Sequence, residues 1–198
     1  MTHQLCHKVT FAFLFSYLLF FPSSIVFAES GKDWFERGNT FQNEGAYQDA
    51  IEAYKKSSEL SPDYWVVHQN LGLVYQKLRK FGKAEDAFQE ALKLAPDNLD
   101  IHMSLGNIYN FLEQWEKAIS HINLVVHRRE NDAAAHGNLG WAYFNYNSGP
   151  PFRLLTIINL KRAVELFEQE GINKAAEATK QTLEEAKKKF GLEDKNPF

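Results

Sequence analysis

Glycine recurs along most of this chain with a fixed spacing of 34 residues. The four positions are Gly38, Gly72, Gly106 and Gly140. Residues at equal distances from these glycines also agree in type, with tryptophan or histidine four residues before and an aromatic residue three after. These residues are Trp34, His68, His102, His136, Phe41, Tyr75, Tyr109 and Tyr143. A period of roughly 20–50 residues indicates an architecture in which one small structural unit is copied along the chain.

The later part of each period also repeats. Alanine lies 12 residues after the glycine, and a large apolar residue follows four positions further on: Ala50, Ala84, Ala118, Tyr54, Phe88 and Ile122. Leucine precedes the glycine at Leu71, Leu105 and Leu139, and Pro62 and Pro96 close the first two periods. This pattern resembles the tetratricopeptide repeat. The resemblance covers about residues 31–167.

The resemblance implies an all-α fold. Each repeat should form two antiparallel helices, with the glycine of the first helix facing the alanine of the second. Because one helix pair cannot cover its own apolar face, neighbouring pairs should stack into a right-handed solenoid. We predict four helix pairs at residues 31–64, 65–98, 99–132 and 133–170, a C-terminal capping helix at residues 172–190, and a tail at residues 191–198.

The fourth repeat departs from the pattern. Thr156 and Leu160 fall into register only if four residues are inserted before them, and the segment at residues 145–152, NYNSGPPF, has the serine, glycine and prolines of a loop. We therefore predict a lengthened connection there. The alternative is a projection that contacts a partner through Tyr146 and Phe152.

The first 28 residues have the pattern of a signal peptide. Lys8 precedes an uncharged apolar stretch at residues 9–21, and small residues precede a predicted cleavage site before Glu29. This pattern predicts export to the periplasm or secretion. The alternative is an uncleaved membrane anchor through residues 9–28, since about 20 apolar residues can span a bilayer. After cleavage the chain would contain no thiol, because its one cysteine is Cys6.

Several classes of function are disfavoured. The net charge of −3 gives no basic surface for nucleic acid. The sequence contains no nucleophile motif and no phosphate-binding loop. We therefore predict that the protein is not an enzyme, has no catalytic residues and binds no cofactor. His68, His102 and His136 lie on successive repeats, on the order of 10 Å apart, which is too far to share a metal ion, so no metal site is predicted. We expect His121 and His127 to be exposed.

The resemblance places the binding surface on the first helix of each repeat, which lines the concave side of the solenoid. The candidate peptide-binding residues there are amides and aromatic residues: Asn39, Gln42, Asn70, Gln76, Asn107, Asn110, Phe111, Asn138, Trp141 and Phe144. Amides both donate to and accept from a peptide backbone. Asparagine is also common at several of these positions throughout the family, so its presence can equally reflect family background.

Chaperone-binding members of the family hold a C-terminal carboxylate with a clamp of three cations. Phe35, Asp100 and Ser104 occupy those positions here, so this clamp is disfavoured. We expect an adaptor that captures another protein or peptide segment, touches a membrane only if residues 9–28 remain attached, and is a monomer without its ligand. The alternative is a self-assembling or membrane-anchored structural scaffold.

Overall fold

The computed structural model describes residues 29–146 and 149–192, and the predicted signal segment and most of the predicted tail lie outside these ranges. Within them the chain forms nine α-helices and no strand. In chain order they are α1 Gly31–Asn43, α2 Tyr47–Leu60, α3 Trp65–Lys77, α4 Phe81–Leu94, α5 Leu99–Phe111, α6 Trp115–Arg128, α7 Ala133–Tyr146, α8 Pro150–Gln169 and α9 Asn173–Phe190. No helix of the described part has the length and apolarity needed to cross a bilayer.

Short local signals fix where several helices begin and turn. Ser30 and Asp33 form a reciprocal capping box that starts α1, and Asn98 caps α5. The first three turns inside the helix pairs each place one residue in the left-handed region, at Gly45 (φ 77°), Arg79 (φ 56°) and Glu113 (φ 58°). These residues are 34 positions apart, so the turn geometry is copied with the repeat even where glycine is absent.

The helices pack as successive antiparallel pairs, α1 with α2, α3 with α4, α5 with α6 and α7 with α8. First helices of neighbouring repeats also contact one another: α3 contacts α5, and α5 contacts α7. Among the described residues no comparable contact joins α2 with α4, α4 with α6 or α6 with α8. The first helices therefore lie closer together than the second helices, which places them on the inner, concave side of a curved array.

The nearest neighbour of each repeated glycine is the large residue of the second helix, four positions after the alanine that was expected to face it; at Gly106 the Ala118 oxygen would also lie 3.7 Å from an added Cβ. A Cβ on Gly72 would lie 2.6 Å from the Phe88 ring, and one on Gly140 would lie 2.7 Å from Leu160 Cγ. Phe88 and Leu160 are almost completely buried. The glycine leaves room for this side chain to reach the backbone of the first helix. The Gly140–Leu160 contact also confirms that the fourth repeat has four extra residues between the repeated glycine and the large residue that it contacts.

The prediction of a long loop at residues 145–152 is wrong. α7 continues to Tyr146 and α8 begins at Pro150, so only residues 147–149 separate the two helices. Of the four extra residues, one extends α7 and three extend the start of α8. α8 also continues three residues further at its C-terminal end, so it has 20 residues, whereas α2, α4 and α6 each have 14. Proline in the first turn of a helix is tolerated because the amide hydrogen it lacks would have no partner there.

The two aromatic residues of this segment are engaged within the protein. The Tyr146 hydroxyl donates to Glu116 Oε1 at 2.8 Å, and the Tyr146 ring meets the Phe152 ring edge-on at a centroid distance of 5.1 Å. These contacts tie the end of α7 to α6 and to the start of α8. They do not support a projection that reaches a partner through Tyr146 and Phe152.

The last helix covers the end of the array. Ala176, Leu183, Ala186 and Phe190 of α9 are buried, and Gly191 ends the helix in the left-handed conformation. Ile172, the first residue of the predicted capping helix, lies before the helix and is 46% exposed. The opposite side of α9 is charged, as the outer face of a terminal cap must be.

Candidate functional site

The predicted asparagines form hydrogen-bonded pairs between neighbouring repeats. Asn70 Nδ2 on α3 donates to Asn39 Oδ1 on α1 at 2.9 Å. The Tyr54 hydroxyl from α2 lies 2.7 Å from Asn39 Oδ1 and 2.9 Å from Gln42 Oε1. Burial raises the pKa of this hydroxyl, so it remains a neutral donor. Four side chains of the first two repeats thus form one polar cluster.

The same pairing recurs two repeats later. Asn138 Nδ2 on α7 donates to Asn107 Oδ1 on α5 at 2.8 Å, and Asn110 Nδ2 donates to the Asn138 backbone oxygen at 2.9 Å. Asn110 Oδ1 is buried and has no partner among the described residues. Between these two pairs, the corresponding positions of α3 and α5 hold Leu73 and Ser104, so the ladder of amides is interrupted at the middle junction.

Each asparagine pair leaves one donor and one acceptor on the inner surface. Asn39 and Asn107 keep an amide nitrogen, and Asn70 and Asn138 keep an amide oxygen, for which the described residues supply no partner. All four side chains are partly exposed, and none of these remaining atoms is among the buried unpaired ones. A peptide unit offers one acceptor and one donor, which is the complementary set.

The amide-rich end of the surface contains a cavity of about 480 Å³. Gln42 and Gln76 lie in its wall with an apolar leucine and a cationic lysine, Leu73 and Lys77. Both predicted glutamines therefore lie at one site, where the ends of α1 and α3 meet the start of α2.

Aromatic residues occupy the other end. Phe111 is 51% exposed and its ring packs on Phe81 at a centroid distance of 4.2 Å. The Arg79 guanidinium lies over the Phe111 ring at 4.9 Å. Arg79 is one of the residues in the left-handed conformation, and this contact retains its side chain beside the aromatic pair.

Trp141 and Phe144 lie on the inner side of α7. Trp141 is 40% exposed, and its ring is 5.9 Å from that of Phe144. Phe144 in turn packs edge-on against Phe190 of α9, while Lys189 Nζ lies 4.2 Å from the Phe144 ring centre and donates to the Phe144 oxygen. Phe144 is thus a contact between α7 and the cap, and Trp141 is the aromatic residue left open to solvent.

The histidines make polar contacts inside the array. His102 Nδ1 lies 2.8 Å from His121 Nδ1, and His102 Nε2 lies 3.0 Å from the Pro96 oxygen. Burial, and then the neighbouring His102, lower the pKa of His121 to about 4. His121 is therefore a partly buried neutral residue, and the expectation that it is exposed is wrong. His136 bridges the Glu130 oxygen at 3.0 Å and Asn159 Oδ1 at 2.9 Å.

Two contacts that shape the candidate site were missed from the sequence. Tyr54 looks like a core residue of the repeat pattern, yet its hydroxyl organises the Asn39–Asn70 pair. Arg79 lies in a turn, and nothing in the repeat period indicates that it packs on Phe111. Only the recurrence of the turn at positions 45, 79 and 113 could have drawn attention to it.

Comparison with known families agrees with this architecture. The profile of the tetratricopeptide repeat family matches residues 65–98, and a second TPR repeat profile matches residues 38–78. The chain therefore contains tetratricopeptide repeats. No curated protein sequence matches it significantly.

Solved structures share the fold over most of the chain. A crystal structure of MamA protein superposes with a TM-score of 0.72 at 19% identity, covering 83% of this chain and 84% of that one. MamA from Desulfovibrio magneticus RS-1, residue 41 to the end, gives a TM-score of 0.65 at 18% identity, with coverages of 86% and 99%. The predicted all-α tetratricopeptide solenoid, with four helix pairs and a capping helix, is confirmed.

A third similar structure contains a bound peptide. The first TPR of Spaghetti (RPAP3), solved with the HSP90 peptide SRMEEVD, has a TM-score of 0.55 at 25% identity, covering 57% of this chain and 90% of that one.

Proposed function

We propose that the chain is a non-catalytic adaptor that binds an extended segment of another polypeptide along its concave surface, outside the cytoplasm. The observation that carries this proposal is the amide arrangement. Two asparagine pairs on the inner helices each leave one donor and one acceptor without a partner in the described residues. Such groups recognise a peptide backbone without requiring a particular side chain.

The chemistry of the surface favours a segment different from a C-terminal carboxylate. The basic clamp positions are occupied by Phe35, Asp100 and Ser104, and Asp100 pairs with Arg129 at 2.7 Å. Asn39 and Asn70 bond to each other and supply no cation. The likeness to the Spaghetti domain supports peptide binding as such. The residues here favour an internal, uncharged stretch of chain.

The location outside the cytoplasm rests on the sequence of residues 1–28. If these residues are removed on export, the chain that remains begins at Glu29, directly before the capping box that starts α1. Sequencing the N-terminus of the protein from its native source tests this part separately. A chain that retains residues 1–28 would favour the membrane-anchored alternative.

The groove is tested by replacing both members of one asparagine pair with leucine. Exchanging both partners of a hydrogen bond for apolar groups of similar shape disturbs folding less than removing one partner. We therefore expect Asn107→Leu/Asn138→Leu to keep its helix content. Peptides selected by the wild-type protein from a phage-displayed library of random linear peptides should bind this variant at least ~10-fold more weakly, the factor given by about 1.4 kcal/mol.

A matched control replaces two exposed amides on second helices, Gln48→Leu/Gln89→Leu. It should bind the selected peptides like the wild type. If the asparagine variant also binds them unchanged, the backbone-binding groove is refuted. The same holds if both double variants weaken binding equally, because the effect would then not be specific to the inner helices.

Self-association is a second candidate function, favoured by one exposed apolar pair. Leu154 and Ile158 of α8 are 47% and 41% exposed. The corresponding positions of the first three repeats lack large apolar residues, since they hold Gln48, Glu52, Gly82, Asp86, Glu116 and Ser120. Sedimentation velocity over a concentration series would show growing species that Leu154→Gln/Ile158→Gln abolishes. A monomer at all concentrations would exclude this candidate.

A further inference from the structure

A cavity of about 320 Å³ opens beside α7 at the aromatic end of the inner surface. Its walls come from three helices, α7, α8 and α9. The lining residues are Ala134, Gly137, Asn138, Trp141, Leu160, Phe167, Ala175, Ala178, Thr179 and Thr182. None of these side chains is charged, although 24% of the chain is Asp, Glu, Lys or Arg.

The repeats themselves show why the cavity exists. Three residues before the repeated glycine, the first three repeats carry Phe35, Gln69 and Met103, whereas the fourth has Gly137. Six residues before it they carry Lys32, Val66 and Asp100, whereas the fourth has Ala134. α7 therefore lacks the side chains that fill this side of the other first helices. α9 faces it with alanine and threonine, so the space between the helices stays open.

We infer that this cavity is the side-chain specificity pocket of the groove and takes one uncharged apolar side chain, of leucine or phenylalanine size, from the bound segment. The inference rests on the proposed groove-binding function. Its volume lies at the lower limit of the ~300–1,000 Å³ typical of small-ligand pockets, which suits one side chain better than a larger ligand.

The pocket adjoins the groups that bind the backbone. Asn138 lines the cavity and is also the partner of Asn107, so a segment held by this pair passes directly over the opening. Trp141, which is 40% exposed, supplies an aromatic wall at the same place. A charged side chain would lose its hydration there without meeting an opposite charge. The uncharged lining thus favours a neutral, apolar side chain.

The test combines protein and peptide substitutions in a double-mutant cycle. Peptides are selected on the purified full-length protein from a phage-displayed library of random linear peptides. We expect them to share one large apolar position, whose replacement by glutamate lowers affinity at least ~10-fold, in keeping with burial of one such side chain. Ala178→Trp fills the pocket from an exposed position of α9. In this variant the parent peptide should bind as weakly as its glutamate version.

Glu184→Trp is the matched control, an exposed position of the same helix outside the pocket, and it should bind the parent peptide normally. The melting temperatures of both tryptophan variants should remain close to that of the wild type. A second measurement uses wild-type protein labelled with 5-fluorotryptophan, in which the Trp141→Phe variant identifies the ¹⁹F resonance of Trp141. This resonance should shift when the peptide binds. The resonance of Trp115, on α6, should not shift.

The outcomes separate this inference from the proposed function. If binding depends on Asn107 and Asn138 but Ala178→Trp leaves it unchanged, or the selected peptides share no apolar position, the pocket is refuted and the groove stands. If binding does not depend on the asparagines, the proposed function itself fails. Loss of binding in both Ala178→Trp and Glu184→Trp would also refute the pocket, because the effect would not depend on filling it.

Discussion

Two glycines of α7 that are three residues apart should respond in opposite ways to alanine. A Cβ on Gly140 would lie 2.7 Å from Leu160 Cγ and 3.0 Å from the Leu160 backbone nitrogen. A Cβ on Gly137 would meet its nearest neighbours, in Ala163 and Phe167, at 3.7 and 3.8 Å, which is ordinary contact. Both residues lie in the interior of the helix Ala133–Tyr146. The gain in stability from the higher helix propensity of alanine is therefore similar at the two positions. The contacts of the added Cβ decide whether each substitution raises or lowers the free energy of unfolding.

Alanine in place of glycine within a helix stabilises by about 0.5–1 kcal/mol. Gly137→Ala should show this gain. At Gly140 the overpacking cost is about 1–3 kcal/mol, and the upper part of that range applies because a backbone atom of α8 must move. Subtracting the helical gain leaves Gly140→Ala less stable than the wild type by roughly 1–2 kcal/mol.

Thermal unfolding followed by far-UV circular dichroism measures the difference. At about 2–4 °C per kcal/mol for a domain of this size, the melting temperature should rise by a few degrees in Gly137→Ala and fall by roughly 2–8 °C in Gly140→Ala. Equal melting temperatures for the two variants would refute the reasoning. They would show that Leu160 does not pack on the α7 backbone and that the register of the fourth repeat is different.

Two further substitutions test the polar contacts. Tyr54→Phe removes the hydroxyl that joins Asn39, Gln42 and Asn70, and it should lower the free energy of unfolding by about 1 kcal/mol in urea titrations; a fully stable variant would show that the asparagine pair does not need this hydroxyl. His121 has a folded-state pKa of about 4, below its ordinary value of 6.5, so its neutral form contributes stability that is complete above pH 6.5 and is lost as the pH falls toward 4. Melting temperatures of the wild type should decrease more over this range than those of His121→Gln, and parallel pH profiles would contradict the assigned pKa.

The repeat period predicts the fold because it acts through many positions at once. Gly72, Phe88 and Leu105 are buried in the places that a helix-pair repeat assigns to them. The period also locates the insertion before Leu160. It does not reveal where the inserted residues go. Serine, glycine and proline indicate a loop, yet two prolines are acceptable in the first turn of α8, and the following residues continue the helix.

The sequence predicts which helices carry the candidate surface, but only some of the contacts that its residues make. Register alone places Asn39, Asn107 and Trp141 on the inner helices. It cannot show that the asparagines bond to one another, because their partners lie 31 residues away and depend on the spacing between helices. The same limit applies to His121, whose position on a second helix looks exposed until His102 and Tyr109 pack against it.

The inner surface changes character along its length, and in the proposed binding mode this would give a bound segment a direction. At α1 and α3 it presents amides, with Gln42 and Gln76 lining one cavity. At α7 and α9 it presents Trp141 and an uncharged cavity. Asn138 connects the second amide pair to this cavity, since it bonds to Asn107 and lines the cavity. A segment held through its backbone by two amide pairs would fit in either orientation, but only one orientation places its apolar residue beside Trp141. In the proposed groove, the loss of side chains at Ala134 and Gly137 would therefore allow two similar amide pairs to distinguish one end of a bound segment from the other.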